Sequence, residues 1–473
     1  MTLVETAPPM YSEKAQAQVV PAKTTMEEAG LESIRFGLIH TDVSRKTAWW
    51  IVGLFFAGLF AVPLLQLVVE AKRGEFQSLA LVRQLKNAAA ALAHGDVRQS
   101  VRDVKWLLNK ENLTQYEERL ADENYVKQKV QPRVQYAMTK YFGFGNSMAI
   151  VARDGLKPNG WLYYQLGLDY IAGPGMLDPT FIKNQESLFF NDGEEGVNCD
   201  PREAIIRFHE DCKKAGVHLV FVPAPCKPMV QPAQLDRRLR FTGEMSMPNN
   251  RDYDRFVSEL RAAGVDVFDN FHPKTIRHDD EPRYLTTDTH WTPKWMEEVA
   301  RDLSAHVAKR VSLPPSERAW KVEPRQVARV GDIVDALNLP ENQTLFPEQE
   351  VTIDRVIDAK TGEPLASKED ADVLVIGDSF SNIFHGEEKG WGDAAGFPEQ
   401  IARYLNRDVE ILVRDGSAAT DLRRELAERA QPLKGKRVVI WQVAMHELVV
   451  SNWQVIPINN NRSDAVTVTK AQP

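Results

Sequence analysis

The longest uninterrupted apolar stretch of the chain runs from Thr47 to Val69, carries no charge, and has Gln66 as its only strongly polar interior residue. Arg45 and Lys46 precede it, and Glu70, Lys72 and Arg73 come after it. Coiled as a helix, its 23 residues rise about 34 Å, enough for the roughly 30 Å hydrocarbon core of a bilayer. Pro63 is tolerated better in a membrane helix than in a soluble one, and Trp49 and Trp50 sit at one end, where interfacial indoles lie. The pattern predicts a single transmembrane helix over 47–69, in preference to two alternatives. One is a buried helix of a soluble core. The other is a cleaved signal peptide, disfavoured by the 46 residues ahead of the run and by the lack of a small-x-small site after it. Arg45 and Lys46 favour a cytoplasmic tail over 1–46 and place the large C-terminal part outside, a bias that Lys72, Arg73 and Arg83 weaken.

Beyond the run the apolar period becomes helical. Leu79, Val82, Leu85 and Ala89 recur at helical spacing, as do Val104, Leu107 and Leu108 among charges, and Tyr116 to Met138 is rich in Glu, Lys and Gln. Residues 70–139 therefore read as a helical membrane-proximal region, either a spacer or a layer packed on the C-terminal domain. From residue 140 the pattern changes again. Turn signals at Phe142-Gly-Phe-Gly-Asn146 and Asn159-Gly-Trp-Leu-Tyr-Tyr164 lead into short aromatic segments. A helix over 201–215 ends at Gly216 and feeds an apolar strand over 217–222. The same module returns at 253–263, Gly264 and 265–268. Further strands are predicted at 373–376, 409–413 and 437–443. Short apolar strands behind helices that end at glycine describe a largely parallel sheet covered on both faces, an α/β fold over 140–458. Residues 459–473 read as a flexible tail.

Composition adds bounds. A formal charge of -8 and a pI of about 5.8 give no basic bias toward nucleic acid. Three cysteines, Cys199, Cys212 and Cys226, allow at most one internal disulfide, and none forms a Cys-x-x-Cys pair.

The candidate chemistry lies in two separated segments, Asp288-Thr-His290-Trp and Gly377-Asp-Ser379-Phe, which together offer an acid, an imidazole and a hydroxyl. Gly377 ends an apolar strand with a tight turn and places Ser379 at the carboxyl end of a parallel sheet, where open sheets bind ligands. Backbone N–H groups at the start of the next helix are candidate oxyanion donors. Asp288 and His290 are expected on one side of an extended stretch, with the carboxylate orienting the imidazole and Trp291 packed as a wall. Three other readings compete: Asp378 or Ser379 as a simple helix cap, Asp288–His290 as a structural pair, and Asp-x-His as a metal site. No further ligands stand at zinc-like spacing, so no metal and no cofactor is expected.

These segments, with Asn159-Gly-Trp-Leu-Tyr-Tyr164, Pro223-Ala-Pro-Cys-Lys227, Gly331-Asp-Ile-Val334 through Leu339-Pro340, Phe346-Pro-Glu348 and Trp391-Gly392, resemble the alginate O-acetyltransferase family of AlgJ and AlgX type over roughly residues 100–450. The resemblance implies an SGNH-hydrolase-like domain with permuted motif order, preceded here by one transmembrane helix and a helical spacer. It implies Ser379 as the acetyl-carrying nucleophile, His290 as base and then acid, and Asp288 as the group that sets the histidine tautomer. It further implies an inner-membrane anchor with the domain in the periplasm or outside the cell membrane. A multispanning membrane-bound O-acyltransferase would supply acetyl groups, and the hydroxyls of an alginate-like or other exopolysaccharide would accept them. Trp291 and Trp391 are expected to offer stacking surface to sugars. Lys227, Tyr163, Tyr164 and Arg414 are candidates for the acceptor groove, with a structural role as the competing reading of each. Related sequences tend to have Trp-Glu-Phe and a nearby arginine in the final strand, whereas this chain reads Trp441-Gln442-Val443 and then His446, which either replaces a polar substrate or support contact or is an ordinary surface residue. Two rival functions use the same residues differently: an acetylesterase with water as acceptor, and a non-catalytic scaffold or glycan-binding subunit of an export complex.

Overall fold

The computed structural model describes residues 44–458 apart from 75, 156, 192, 195, 236–246 and 270–280. The expected flexible tails therefore fall outside the described residues, except for Ser44, Arg45 and Lys46. Contacts divide the chain into two compact units, 1–126 and 127–473.

Among the described residues the first unit is helical. Helix α1, Arg45–Arg73, begins where the Ser44 side chain accepts from the Thr47 N–H and ends at Gly74, whose φ of 74° no β-carbon residue adopts readily. It is long and apolar enough to cross a membrane, with a mean hydropathy of 2.3 over its best 18-residue window. Gln66 and Glu70 are its buried residues. The Gln66 amide donates to Glu70 (2.9 Å) and accepts from the Tyr125 N–H (2.9 Å). Glu70 also accepts from the Ser78 hydroxyl (2.7 Å), so both buried polar side chains on this face have protein partners. Helices α2 (Ala80–Ala93), α3 (Val97–Leu108) and α4 (Lys110–Asp122) come next, with Asp96 and Asn109 as side-chain caps of the second pair.

The second unit opens with α5 (Gln131–Phe142) and an antiparallel hairpin, β1 (Ala149–Asp154) with β2 (Lys157–Tyr164). Its centre is a parallel sheet of β3 (His218–Ala224), β4 (Asp266–Val267), β7 (Val373–Gly377), β8 (Glu410–Val413) and β9 (Val438–Ala444), in the order β4-β3-β9-β7-β8. Every residue of β7 and β9 is buried. Because alternate side chains of a strand point to opposite faces, such a strand must be covered on both. The cover comes from α6 (Pro201–Lys214), α7 (Tyr253–Ala262), α8 (Pro293–Arg310), α9 (Phe397–Leu405) and α10 (Asp421–Glu428), all of which contribute to one apolar core. Helix α8 shows the local logic. Thr292 caps it, Pro293 fills its first turn, and Met296, Val299, Ala300, Leu303 and Val307 bury one stripe at three- and four-residue spacing.

The segment Leu313 to Lys368, whose sequence pattern marks no elements, holds a second antiparallel hairpin, β5 (Trp320–Arg329) with β6 (Gln349–Asp358), and a short helix at Asp332–Leu337. β5 buries none of its residues fully, which is why no apolar run announces it. A small cluster of Ala149, Val151, Leu162, Ile333, Val334, Leu337 and Phe346 pins the short helix to the β1–β2 hairpin. That cluster fixes where Gly331 and Asp332 sit.

Candidate active site

Residues 284–291 form a closed loop rather than the extended stretch expected from Asp-x-His spacing. Tyr284 bridges Trp291, and the Leu285 N–H donates to the His290 carbonyl (3.0 Å). Inside the loop Asp288 Oδ1 accepts the His290 backbone N–H (3.1 Å), an Asx-type turn that brings the imidazole back onto the same carboxylate. His290 Nδ1 then lies 2.6 Å from Oδ1. The other oxygen, Oδ2, accepts from the Trp391 indole (3.0 Å) and the Asp332 N–H (3.1 Å). Asp288 and His290 are both buried.

Burial alone would raise the Asp288 carboxyl. The hydrogen bond and charge of His290, with the Asp332 and Trp391 donors, outweigh it and hold Asp288 well below the usual carboxylate range. His290 is shifted upward: burial pulls it down, but Asp288 first, then Asp332 and Asp378, favour its cation. A carboxylate only accepts, so the proton between the pair belongs to Nδ1 and leaves Nε2 with its lone pair. Nε2 is buried and makes no hydrogen bond among the described residues.

Asp332 belongs to the Gly331-Asp-Ile-Val334 motif, and no sequence pattern points to a role for its side chain. It accepts the Thr289 N–H (2.7 Å) and stands 3.7 Å from His290 Nδ1. Gly331 makes this approach feasible, since a β-carbon there would collide with the Thr287 carbonyl. Burial and the adjacent Asp288 push Asp332 up to about 6. Asp288, His290 and Asp332 together offer atoms within 4.8 Å of one another, a spacing open to a cation. Two ligands of a tetrahedral zinc stand about 3.4 Å apart. The 2.6 Å Nδ1–Oδ1 distance is instead that of a charge-assisted hydrogen bond. Because Asp332 is one of the charges raising His290, Asp332→Asn is expected to move the acidic limb of the pH–rate profile to lower pH. Activity that needs neutral His290 then survives further into acid. A profile that stays in place would show that Asp332 acts only on loop geometry.

The serine segment is built on β7. The chain turns directly after Gly377, where the Ser381 N–H donates to the Asp378 carbonyl (3.0 Å), without a left-handed backbone at the glycine. The glycine's role is close approach, since a β-carbon would collide with Ser381 Oγ and meet Gln442 at 2.9 Å. Asp378 is a helix cap, accepting the Phe380 N–H (2.9 Å), and more besides. It also accepts from the Gln442 amide (2.9 Å) and the Ala444 N–H (2.5 Å), locking the turn to β9. Gln442 in turn accepts from the Ser381 hydroxyl (2.6 Å). A glutamate in its place would set a second carboxyl against Asp378, which burial and Glu447 already shift upward. The amide supplies the donor this position needs. The N–H groups of Phe380, Ser381 and Asn382 all serve Asp378, which leaves Ser379's own N–H as the donor of this turn without a described partner.

The two segments meet. The His290 ring packs edge-on against Phe380, the residue after Ser379, with centroids 4.9 Å apart. The Trp291 indole donates to the Phe380 carbonyl (3.0 Å). Ser379 is half-buried at the head of its turn.

Several expected contact residues take other roles. Trp291 and Trp391 are fully buried, so neither presents a ring face to a sugar; one holds the serine turn and the other holds Asp288. Tyr163 is buried, and its hydroxyl donates to the Gln231 carbonyl. Lys227 is buried too, with Nζ donating to the carbonyls of Leu162 (2.5 Å), Thr286 (2.8 Å) and Asp288 (3.1 Å). It is a post under the acid loop, not a groove residue. Tyr164 remains half-buried and meets His446 edge-on at 5.6 Å. His446 is buried between Cys226 Sγ (3.8 Å) and Glu447 (3.4 Å). Burial opposes its cation, but Cys226 and Glu447 raise it nonetheless. Arg414 lies just past β8 beside Gly377, and its exposed side chain pairs with Glu425.

Known proteins share this arrangement's sequence frame. Residues 184–445, just over half of the chain, match the family model described as the SGNH hydrolase-like domain of the acetyltransferase AlgX. Over 231 residues the chain is 25% identical to the probable alginate O-acetylase AlgJ of Pseudomonas aeruginosa, covering 47% of this chain and 57% of that protein. It is 24% identical over 308 residues to the protein of the same description from Pseudomonas syringae pv. tomato, covering 63% and 75%. The match thus spans little more than half the length of the first of these relatives. Among solved structures, the O-acetyltransferase domain of Pseudomonas putida AlgJ aligns with a TM-score of 0.46 and 19% identity, over 64% of this chain and 93% of that one.

Proposed function

Because the chain belongs to the family of AlgX-type SGNH hydrolase-like acetyltransferase domains, we propose that it moves an acetyl group through Ser379 onto hydroxyls of an exported polysaccharide. The observation that carries this reading is the 2.6 Å contact of His290 Nδ1 with Asp288, beside a buried Nε2 that makes no hydrogen bond among the described residues. Nδ1 is committed to Asp288, and Nε2 is left as an uncommitted base on the segment packed against the serine turn. In the first half-reaction Ser379 Oγ attacks the acetyl carbonyl of the donor as His290 Nε2 takes the hydroxyl proton. The oxyanion collapses, the donor's leaving group departs with that proton, and acetyl-serine remains. A sugar hydroxyl then attacks the acetyl-serine carbonyl and gives its proton to Nε2. Ser379 leaves and recovers the proton. Asp288 keeps the imidazole in the required tautomer throughout.

We read α1 as the anchor over 47–69, residues 70–139 as a membrane-proximal helical region, and 140–458 as the catalytic domain outside the cytoplasmic membrane. In that compartment a multispanning O-acyltransferase is the natural acetyl supplier. The test is acetyl transfer by the full chain in detergent from an activated acetyl ester to a panel of oligosaccharides, monitored by mass, beside Ser379→Ala. Acetylated sugar that falls by about a thousandfold or more in the variant supports the proposal. Free acetate as the sole product, lost in the variant, replaces it with an esterase. A folded protein with no serine-dependent turnover replaces it with a scaffold.

A further inference from the structure

Helices α2 and α3 form a hairpin that leaves most of its large apolar side chains outside. Its inside is mixed: Ala88 is buried and Leu81, Ala91 and Leu107 are half-buried, but Ser100 and Asp103 are buried with them, and the Gln84 and Gln99 amides both donate to Asp103 (3.3 and 2.9 Å). Its outside is apolar. Val82, Leu85 and Leu92 on α2, and Val97, Val101 and Leu108 on α3, are 47–78% exposed. Their spacing in each helix keeps them on one stripe. An aqueous helical pair buries such stripes against each other; this one places a Gln84–Asp103 hydrogen bond in its seam and leaves the stripes uncovered.

Two further observations identify the cover. The entry to α2 is tied to the end of the apolar helix: Glu70 accepts from the Ser78 N–H and hydroxyl, and the Tyr116 hydroxyl donates to the Ser78 carbonyl (2.8 Å). The hairpin therefore starts where α1 leaves its apolar stretch. Residues 80–108 also carry Arg83, Lys86, Arg98, Arg102 and Lys105 against Asp96 and Asp103, five basic to two acidic, a local charge of +3 in a chain of -8. Exposed aliphatic stripes edged with arginine and lysine match an anionic bilayer surface, where the stripe enters the acyl boundary and the cations meet phosphate. We propose that the α2–α3 hairpin lies in the interfacial layer of the same bilayer that α1 crosses. The inference rests on the reading of α1 as a membrane span.

The test uses the full chain reconstituted into vesicles of phosphatidylethanolamine and phosphatidylglycerol. Leu85→Cys and Val101→Cys each carry an environment-sensitive fluorophore, with Leu59→Cys inside α1 as the control; the native cysteines are all buried. Brominated lipids are expected to quench about half or more of the emission at Leu85 and Val101, as at Leu59. Omitting phosphatidylglycerol is expected to weaken quenching at the hairpin sites alone. Quenching at Leu59 with none at the hairpin overturns the inference and leaves the anchor standing. Unquenched labels, with the unlabelled Leu85→Cys or Val101→Cys protein forming a disulfide between two copies on mild oxidation, overturn it in favour of a protein-covered face. No quenching at Leu59 overturns the anchor reading and this inference with it.

Discussion

Replacing Asp288 with asparagine is expected to lower serine-dependent acyl transfer by about a thousand- to ten-thousandfold while the fold is retained. The reason lies in which way the amide must face. In one orientation its nitrogen points at two donors, the Trp391 indole and the Asp332 N–H. In the other it meets one backbone donor, the His290 N–H, and faces His290 Nδ1, which can become an acceptor. The second orientation has the smaller conflict. It moves the ring proton to Nε2 and removes the lone pair from the nitrogen proposed to take the Ser379 proton. The measurement is turnover of an activated acetyl ester by the variant, with unfolding monitored in parallel. Near-normal turnover from a folded Asp288→Asn protein would eliminate His290 as the general base.

Lys227→Met is expected to destabilise the second unit by on the order of 3 kcal/mol. Methionine keeps an unbranched stem in the buried site but offers no donor to the Leu162, Thr286 and Asp288 carbonyls. Of these, the Thr286 carbonyl still accepts the Leu162 N–H. The others lose a donor where water does not reach. The pH dependence has a definite sign. Burial pulls Lys227 down to about 7, against Asp288 and Asp332. Between about pH 7 and the ordinary lysine value near 10.4, the unfolded chain therefore binds the proton more readily than the folded one. Stability from this group rises with pH across that window and is flat below it. The gap in unfolding free energy between the wild type and Lys227→Met should widen from pH 7 to pH 9. A neutral amine donates only two protons, so a gap that narrows would mean that the ammonium, with one proton for each of the three carbonyls, is the form that holds the loop.

The apolar helix and the parallel strands were legible because their signal is local. An uncharged run such as Thr47–Val69 needs no partner to be recognised, and strands buried on both faces, such as Val373–Ile376, read as unbroken apolar stretches. The residue types at Asp288, His290 and Ser379 were legible for the same reason. Their geometry was not: an Asx-type turn and an extended strand both bring residues i and i+2 together, and only the Tyr284–Trp291 closure distinguishes them. Asp332, Gln442 and Lys227 owe their roles to partners far away in the chain, which no spacing rule exposes. Trp291 and Trp391 make the same point in reverse. A tryptophan beside a motif looks like a binding surface until burial shows its indole holding the site from behind.

The order of the central sheet carries a consequence for how the site comes into being. β9 is the last strand in the chain among the described residues, yet it lies between β3 and β7. A polypeptide emerging N-terminus first holds two half-sheets, β3 with β4 and β7 with β8, and no ladder joins them until residues 438–444 arrive. Contacts of such long range form late. Until then Asp378 lacks both Gln442 and the Ala444 N–H, so the serine turn has no brace. A nascent or clipped product ending before residue 438 would keep every residue of the Asp288–His290–Ser379 set and still be unable to shape it. The serine turn is braced only once the chain is complete to residue 444.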